Sequence, residues 1–496
     1  MRFDFDPYSE LGISPTASTD DVRAAYHRAA KRFHPDHNKN PGAATQIADI
    51  TAAYELLLDK GKRRDYDEQR GLINETEYYF QFRVTCSKRV VNPLNETQVI
   101  YMLAEVLPDP RALESKHKRD SRLNLTLILD HSNSMNGTRL DKVKVAAHQI
   151  IDQMQPDDIL SIVSFNDRAE VIIEANTVKD KAALKARVSM MTAIGGTEIF
   201  QGFEAGIQQN RRFLAPRLVN HVILLTDGHT FGDQEPTISL AKTVATEGIA
   251  VSAMGLGQDW NDEFLDQIAT VTGGTTSYIN SAGGVIRFLN DHVRSLANVF
   301  AERVQLSIAP DTDITLESAF KLLPAPQPLS IDTGNIPVGS LQFNRTIAAL
   351  FQLELPPNLK PGFRTVARFT ATGDILTNQQ QKYKAINDVS VEISDETRDD
   401  NPPTAILEAL SKLTLYKMQQ RAQEALERGD VKEATRRLEN LSTRLIEMGE
   451  YELAQQAQAE AQQVAYTNNL SDKGRKTLKY HTRSLLLSGS SQADVE

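Results

Sequence analysis

Residues 20–59 read DDVRAAYHRAAKRFHPDHNKNPGAATQIADITAAYELLLD, and their periodicity predicts a helical hairpin. Apolar residues recur at helical spacing on both sides of the tripeptide His34-Pro35-Asp36. We expect one helix over Asp20–Phe33 and a second over Ala43–Asp59, each with one apolar stripe. Those stripes are Val22, Tyr26, Ala29, Ala30 and Phe33, then Ile47, Ile50, Tyr54, Leu57 and Leu58. The two helices can bury them against each other, which leaves the tripeptide in the loop at one end.

The segments flanking this hairpin are also patterned. Asp6-Pro7-Tyr8-Ser9-Glu10-Leu11-Gly12 precedes it, and Lys62-Arg63 and Tyr66-Asp67 follow it. Thr19 is the predicted N-cap of the first helix, because a hydroxyl followed by acids in the first turn is typical of a helix start. The outer face of that helix carries Arg23, His27, Arg28, Lys31 and Arg32. Such a cationic face can steer an acidic partner surface.

From residue 4 to about residue 70 the chain resembles a J domain of the DnaJ type, and we place this all-α domain at residues 1–71. The resemblance implies a module that recruits and stimulates DnaK-type chaperone ATPases. It makes His34, Pro35 and Asp36 the residues that stimulate the ATPase. It makes the surface of the first helix the docking site, formed by Arg23, Tyr26, His27, Arg28, Lys31 and Arg32. Lys60 stands where relatives often carry a proline, away from these residues.

The sequence behind the J domain indicates which kind of J protein this is. Strand-like sequence begins within a few residues of Leu72, with no Gly/Phe-rich linker between them. The single cysteine, Cys86, excludes the repeated cysteine pairs of a zinc-binding substrate domain. The chain therefore resembles the specialised J proteins, in which unrelated domains choose the client.

Composition limits the remaining functional classes. The 496 residues are 40% hydrophobic and carry a formal net charge of −10, which argues against non-specific nucleic-acid binding. No apolar run reaches the length of a membrane span, and the first residues lack the apolar core of a signal peptide. With one cysteine, these features lead us to expect a cytoplasmic protein.

Residues 123 to about 297 alternate strand-like and helix-like patterns, which predicts an open α/β sheet. The predicted strands include Leu123–Leu129, Ile159–Phe165, His221–Leu225 and Ile249–Leu256. In such sheets, ligands bind beyond the carboxyl ends of the strands. Three oxygen-rich clusters stand at such places: 130–134 (DHSNS), 195–198 (GGTE) and 226–228 (TDG). Clusters of this kind are also common as turns and helix caps.

These three clusters resemble, in order, the metal-ion-dependent adhesion site of a von Willebrand factor A domain, which would span residues 122–298 with a Rossmann-like fold. The resemblance assigns the metal ligands to Asp130, Ser132, Ser134, Thr197 and Asp227. An all-oxygen set suits Mg²⁺ or Mn²⁺ rather than zinc. In this family an open coordination position takes a carboxylate from the partner, so an acidic protein ligand is implied. His131 and His229 are interpreted as neighbours, not ligands.

Catalytic readings find less support in the sequence. Gly255-Leu256-Gly257 lacks the third glycine of a dinucleotide-binding fingerprint, and no P-loop motif appears. Ser132 lacks the Gly-x-Ser-x-Gly surroundings of a hydrolase nucleophile. We therefore do not expect this chain to be an enzyme.

The remaining segments complete the predicted architecture. Residues 77–120 and 299–397 read as β-rich arms, which we expect to form one β-sandwich with the A domain inserted between them. Residues 402–487 read as a C-terminal helical bundle, favoured over a tetratricopeptide hairpin because no clear 34-residue period is present. Residues 488–496 are expected to be disordered.

Two functional hypotheses follow. The preferred one is a specialised J-domain co-chaperone for a DnaK-type ATPase, whose Mg²⁺-dependent A domain binds a client or complex. The alternative is a metal-dependent scaffold for a MoxR-type or other AAA+ assembly, in which the J domain only tethers a chaperone. The sequence does not identify the client or the cognate chaperone.

Overall fold

The computed structural model describes residues 6–72, 79–109, 122–215, 217–230, 232–257, 259–279, 282–376, 381–396 and 401–485. The chain forms two compact units. The first comprises Met1–Ser121, Asn298–Pro324 and Pro328–Ile406, and the second comprises Arg122–Ala297, Ala325–Gln327 and Leu407–Glu496. The tail predicted to be disordered, residues 488–496, lies outside the described residues.

The N-terminal helices are α1 (Pro7–Leu11), α2 (Thr19–Phe33), α3 (Pro41–Leu58) and α4 (Lys60–Leu72). The predicted hairpin is α2 and α3, whose apolar faces share a core that includes Val22, Phe33 and Ile50. The N-cap prediction was wrong by one residue. Ser18, not Thr19, caps α2, because its hydroxyl accepts from the N–H of Asp21 while the Asp21 carboxylate accepts from the N–H of Ser18.

The rest of the first unit is a β-sandwich of two sheets. In the described residues each sheet has five strands, ordered β1-β3-β14-β11-β12 and β13-β10-β15-β16-β2. The first arm supplies β1 (Phe80–Cys86), β2 (Val90–Val91) and β3 (Gln98–Pro108). The second supplies β10 (Val299–Pro310), β11 (Thr315–Leu323), β12 (Gln327–Leu329), β13 (Ile336–Gln342), β14 (Ile347–Leu355), β15 (Gly362–Ile375) and β16 (Gln381–Ile393).

The two arms of the sandwich are interleaved, as predicted. Strand β3 pairs antiparallel with β14, with Ile100 opposite Leu353 and Met102 opposite Phe351. Buried side chains from both sheets meet in one core, where Phe351 and Phe369 pack edge to face. Neither arm can bury its apolar face alone, so the sandwich requires both segments of the chain.

The second unit contains a six-stranded sheet in its described residues, ordered β6-β5-β4-β7-β8-β9. Its strands are β4 (Arg122–Asp130), β5 (Ile159–Phe165), β6 (Ala169–Thr177), β7 (Leu218–Thr226), β8 (Ala250–Leu256) and β9 (Thr276–Ile279). Its helices are α5 (Thr138–Gln153), α6 (Lys181–Ser189), α7 (Ile199–Arg211), α8 (Gln234–Glu247), α9 (Asp262–Thr272) and α10 (Ala282–Leu296). The four predicted strands are confirmed. The four strands are parallel to one another and almost fully buried, which explains their continuous apolar runs, while the edge strand β6 runs antiparallel to β5.

The C-terminal helices are α11 (Thr404–Glu427), α12 (Val431–Glu447), α13 (Tyr451–Thr467) and α14 (Asp472–Ser484). Gly429 and Gly449 stand just beyond α11 and α12, with φ of 78° and 81°. Glycine adopts this left-handed conformation without strain, so these residues can end the two helices. Across the part of the chain that the structure describes, none of the helices combines the length and apolar character that crossing a bilayer requires.

Candidate functional sites

The tripeptide His34-Pro35-Asp36 directly follows α2, in the loop that leads to α3. All three residues are exposed, and the side chains of His34 and Asp36 keep 50% and 79% of their surface accessible. The backbone N–H of Asp36 donates to Nδ1 of His34 over 3.3 Å. The N–H groups of His37 and Asn38 donate to the carbonyl oxygen of His34 at 3.0 and 2.8 Å. The tip is therefore an ordered turn that faces solvent.

Four of the six predicted docking residues form an exposed stripe beside this tip: Arg23, His27, Arg28 and Lys31. Arg23 is paired with Asp20 at 3.1 Å on the helix surface, a solvated contact that a partner can displace. Tyr26 is half-buried, because its ring stacks on Tyr54 with centroids 4.1 Å apart. The exposed basic stripe therefore lies beside the stacked pair of Tyr26 and Tyr54.

Arg32, the sixth predicted docking residue, lies in a different environment. Its side chain is 20% exposed and points to two carboxylates of the sandwich, with Nε 3.8 Å from Asp311 and Nη1 3.9 Å from Asp388. Burial lowers the pKa of the Arg32 guanidinium, while the two carboxylates act in the opposite direction. Arg32 therefore serves contacts inside its own unit, and its docking role stays a prediction.

In the second unit, the parallel sheet brings two of the predicted metal-site clusters together. Strands β4 and β7 are neighbours, with Leu129 opposite Leu225, so Asp130 and Asp227 follow the same sheet edge. Asp130 and Ser132 are buried, Asp227 is buried, and Ser134 is exposed. A half-open cluster of oxygens therefore stands where an α/β sheet places its ligands.

Hydrogen bonds connect these side chains. Asp130 Oδ1 accepts from the N–H of Ser132 at 2.8 Å, and its Oδ2 accepts from the Thr226 hydroxyl at 2.6 Å. The hydroxyls of Ser132 and Ser134 are 2.9 Å apart, and Ser134 donates to Asp227 Oδ1 at 2.6 Å. Burial raises the pKa of the Asp130 carboxyl, and the charge of Asp227 adds to that rise, although hydrogen bonds from Ser132 and Thr226 oppose it.

Thr197 completes the predicted set from a third loop. A methyl group placed on Gly228 would lie 3.0 Å from the Thr197 hydroxyl, so this hydroxyl reaches the residue next to Asp227. Backbone bonds join the loops, from Asn133 N to Gly195 O at 3.0 Å and from Ile194 N to His131 O at 2.9 Å. All five predicted ligands therefore belong to one connected cluster.

The donor set fits a hard divalent cation. It consists of three hydroxyls and two carboxylates, and hydroxyl and carboxylate oxygens are the protein ligands that Mg²⁺ and Mn²⁺ prefer. The carboxyl group of Asp130 is desolvated without a cationic partner among the contacts described for it, so a bound cation would offset the burial that raises its pKa. The residues present therefore fit the implied ion.

Sequence reasoning missed a cation at this cluster. Arg139, in the first turn of α5, donates from Nη1 to Asp227 Oδ2 at 2.5 Å, and the Asp227 side chain is fully buried. The arginine is five residues beyond Ser134, and nothing in that spacing indicates which carboxylate it meets. The hydrogen bond from Asn38 to the Pro310 carbonyl oxygen of the sandwich was also missed, because sequence spacing does not indicate which distant group a side chain meets.

Models of three protein families match the chain. The DnaJ domain matches residues 6–67, the von Willebrand factor type A domain matches residues 124–291, and the Sll0103-like C-terminal alpha-helical domain matches residues 404–488. The chain therefore contains a DnaJ domain and a von Willebrand factor type A domain. The matched families are co-chaperone or interaction domains.

Several curated proteins are similar to parts of this chain. An uncharacterized protein, sll0103 of Synechocystis sp., is 34% identical over 203 residues, which cover 40% of this chain and 48% of that protein. DnaJ homolog subfamily C member 16 of Rattus norvegicus is 44% identical over 84 residues, or 16% of this chain and 11% of that protein. A chloroplastic chaperone protein dnaJ A7B of Oryza sativa is 47% identical over 68 residues, or 14% of this chain and 15% of that protein. The chain thus spans about half of the first relative and far less of the others.

Two solved structures share the fold. A von Willebrand factor type A protein from Catenulispora acidiphila superposes with a TM-score of 0.65 at 16% identity, covering 82% of this chain and 98% of that chain. The ArnB paralog VWA2 from Sulfolobus acidocaldarius gives a TM-score of 0.53 at 13% identity, with the same coverage. At these identities the likeness concerns the fold alone. The matches support a co-chaperone module at the N-terminus of the chain and a protein-interaction module in its centre.

Proposed function

We propose that this chain is a specialised J-domain co-chaperone that recruits and stimulates a DnaK-type ATPase. One observation carries the proposal: the His34-Pro35-Asp36 tip is exposed and ordered, at the end of a helix whose outer face presents Arg23, His27, Arg28 and Lys31 to solvent. The positive stripe steers an acidic surface of the partner, and this orients the adjacent tip. ATP hydrolysis then takes place on the partner.

We further propose that the A domain binds a client or complex through a Mg²⁺- or Mn²⁺-dependent site. Asp130, Ser132, Ser134, Thr197 and Asp227 would hold the ion. When bound, the ion supplies a Lewis-acidic position that accepts a carboxylate of a protein ligand. Ser134 is an exposed residue, so that side of the cluster is open to solvent, as such a ligand requires.

ATP hydrolysis by a purified DnaK-type chaperone tests the first part. The full-length His34→Gln variant should lose stimulation, because the imidazole of the tip is replaced while its backbone turn is retained. His37→Gln is the matched control, since His37 is exposed in the same loop but outside the tripeptide. Stimulation by the His34 variant equal to that of wild type would rule out this mechanism.

Calorimetric titration with Mn²⁺, followed by affinity capture with and without EDTA, tests the second part. Ser134→Ala should weaken Mn²⁺ binding and release metal-dependent partners. Thr138→Ala, an exposed hydroxyl four residues further on, should change neither. Partners that stay bound in EDTA would contradict a metal-gated site. Metal-dependent capture of partners by a chain whose wild-type form does not stimulate the chaperone would favour the scaffold hypothesis.

A further inference from the structure

The β-sandwich holds the loop that carries the tip at both of its ends. Phe33 precedes His34, Asn38 follows His37, and both residues are buried, with 1% and 2% of their surface exposed. The four residues between them are exposed. A short exposed loop between two buried ends takes its direction from whatever covers those ends.

Arg368 of β15 covers the first end. Its guanidinium carbon lies 5.6 Å from the centre of the Phe33 ring, within the range of a cation–π contact. Nη1 donates to the carbonyl oxygen of Glu10 at 2.8 Å, in the helix α1 that packs beneath the hairpin. Nε and Nη2 donate to the two carboxylate oxygens of Asp388 at 2.9 and 2.7 Å. Because this bidentate pair fixes the guanidinium plane, Arg368 is a rigid contact for the J domain.

Pro310, at the end of β10, holds the second end. The amide nitrogen Nδ2 of Asn38 donates to the carbonyl oxygen of Pro310 at 2.9 Å and to that of Arg32 at 3.1 Å. A buried amide that lost the Pro310 acceptor would leave one of its donors unsatisfied or hydrated. One side chain therefore ties the end of α2, the loop and the sandwich together.

The contact continues along α3. Gln46 is fully buried and donates from Nε2 to the Thr370 hydroxyl at 2.7 Å. Lys384 of β16 forms ion pairs with Glu10 and with Asp49, the second at 2.7 Å. Ala309 is part of the same apolar core as Phe33. Buried polar partners of this kind set orientation as well as proximity, because each is satisfied in one geometry only.

We propose that Arg368 and the Pro310 end of β10 are positioning elements for the tip, so that the part of the chain acting on the ATPase is the J domain together with the sandwich. The inference rests on the proposed co-chaperone function. It assigns to the sandwich the role of holding the tip in the orientation that stimulates the ATPase. A J domain attached only by a flexible linker would have no such support. Arg32 belongs to the same arrangement, since its guanidinium carbon lies 4.8 Å from the centre of the Phe33 ring and the guanidinium faces Asp311 and Asp388.

Two measurements on the full-length chain test this proposal. Hydrogen exchange measures the protection of the backbone amides of residues His37 and Asn38, which donate to the His34 carbonyl oxygen. Titration of a DnaK-type chaperone's ATP hydrolysis separates maximal stimulation from the half-saturating concentration. The variants are Arg368→Ala and Asn38→Ser, the second of which leaves the sandwich sequence unchanged. Arg364→Ala is the matched control, because Arg364 lies on the same strand and pairs with Asp313 of the sandwich.

Both test variants should speed exchange at His37 and Asn38 by about fivefold or more, the factor expected for losing one hydrogen bond. Maximal stimulation should fall, while the half-saturating concentration stays within about twofold, because the docking stripe on α2 is untouched. Arg364→Ala should behave as wild type. Unchanged exchange in both variants, or faster exchange with full stimulation, would overturn the proposal. If wild type itself fails to stimulate, the proposed function falls, and the exchange data alone decide whether the sandwich holds the loop.

Discussion

The backbones of Gly42 and Ile308 approach so closely that a methyl group on Gly42 would lie 1.8 Å from the carbonyl oxygen of Ile308. Gly42 is in the first turn of α3, and Ile308 is in the sandwich strand β10. No side chain larger than hydrogen fits this space without moving one backbone away from the other. The J domain and the sandwich are therefore matched to each other at the level of the main chain.

Gly42→Ala should loosen this contact and destabilise the first unit by about 1–3 kcal/mol, as expected for overpacking. Urea unfolding, with hydrogen exchange along α3, measures the effect. Gly61→Ala is the control. Gly61 is exposed in α4, where the nearest atom to an added methyl is a carboxylate oxygen of Asp59 at 3.3 Å. That variant should lose no stability, and equal stability of both variants would contradict the close approach.

Glu302 makes the sandwich sensitive to pH. Burial raises the pKa of its carboxyl to about 7, although the Ser340 hydroxyl donates to it at 2.8 Å. An unfolded glutamic acid has a pKa of about 4.3, so the folded state holds its proton more tightly and stability falls as pH rises from about 4 to 7. Glu302→Gln should therefore be more stable than wild type at pH 8, by up to about 3 kcal/mol, and similar near pH 4. Urea unfolding at both values measures this, and a less stable variant at pH 8 would refute it.

Lys321 is a second buried charge of the sandwich. Its side chain is 1% exposed, and Nζ is 3.4 Å from the Val338 carbonyl oxygen. Burial alone lowers the pKa of this ammonium to about 8, so folding is penalised below pH 8 and the penalty fades as pH rises towards about 10. Lys321→Met should raise stability at pH 7 by about 1–3 kcal/mol. Lys382→Met, at an exposed position, should change it by less than about 0.5 kcal/mol. If Lys382→Met raised the stability and Lys321→Met did not, a desolvation penalty at Lys321 would be excluded.

Asp266 anchors α14 to α9 in the second unit. Its carboxylate pairs with Arg483 at 2.8 Å and with Lys479 at 2.9 Å. Burial works to raise the pKa of Asp266, but these two cations hold it well below its usual range. The stabilisation is therefore complete above about pH 4 and is lost as pH falls towards the lower, folded-state pKa.

Asp266→Asn should destabilise the second unit by about 3–5 kcal/mol at pH 7, because it leaves two buried cations without that carboxylate. The difference from wild type should shrink below pH 4. Glu263→Gln, exposed on the same helix, is the control and should unfold as wild type does. Thermal unfolding of wild type and Asp266→Asn between pH 2 and pH 7 measures this difference in stability. A difference that stays constant over this pH range would mean that the cluster contributes no charge-dependent stability.

Arg139 should weaken the metal site, because its guanidinium already neutralises Asp227 and repels a second cation. Arg139→Gln is expected to tighten Mn²⁺ binding by about tenfold, a change of about 1.4 kcal/mol. Calorimetric titration measures it, with Lys142→Gln, at a half-buried position of the same helix, as control. Weaker binding in the Arg139 variant would mean that the arginine orders Asp227 for the ion instead of competing with it.

Local sequence was sufficient for most elements. The helical period over residues 20–59 predicted α2, the tip and α3, and continuous apolar runs predicted the buried strands β4, β5, β7 and β8. Ser18 and Thr19 show the limit of such reading, since both carry hydroxyls suited to an N-cap and only the backbone geometry separates them. The edge strand β6 was missed because its alternating exposure leaves a weaker apolar signal.

The chain alone therefore specified the elements, the order of the domains and the candidate chemical groups, because periodicity reports which face of an element is buried. It did not specify what covers that face. The Asn38–Pro310 bond joins residues 272 positions apart, Arg32 meets Asp311 and Asp388, and Arg139 meets Asp227. Such pairings depend on how distant segments dock, and docking is settled by shape and by the satisfaction of buried polar groups. Only the tertiary structure could decide them.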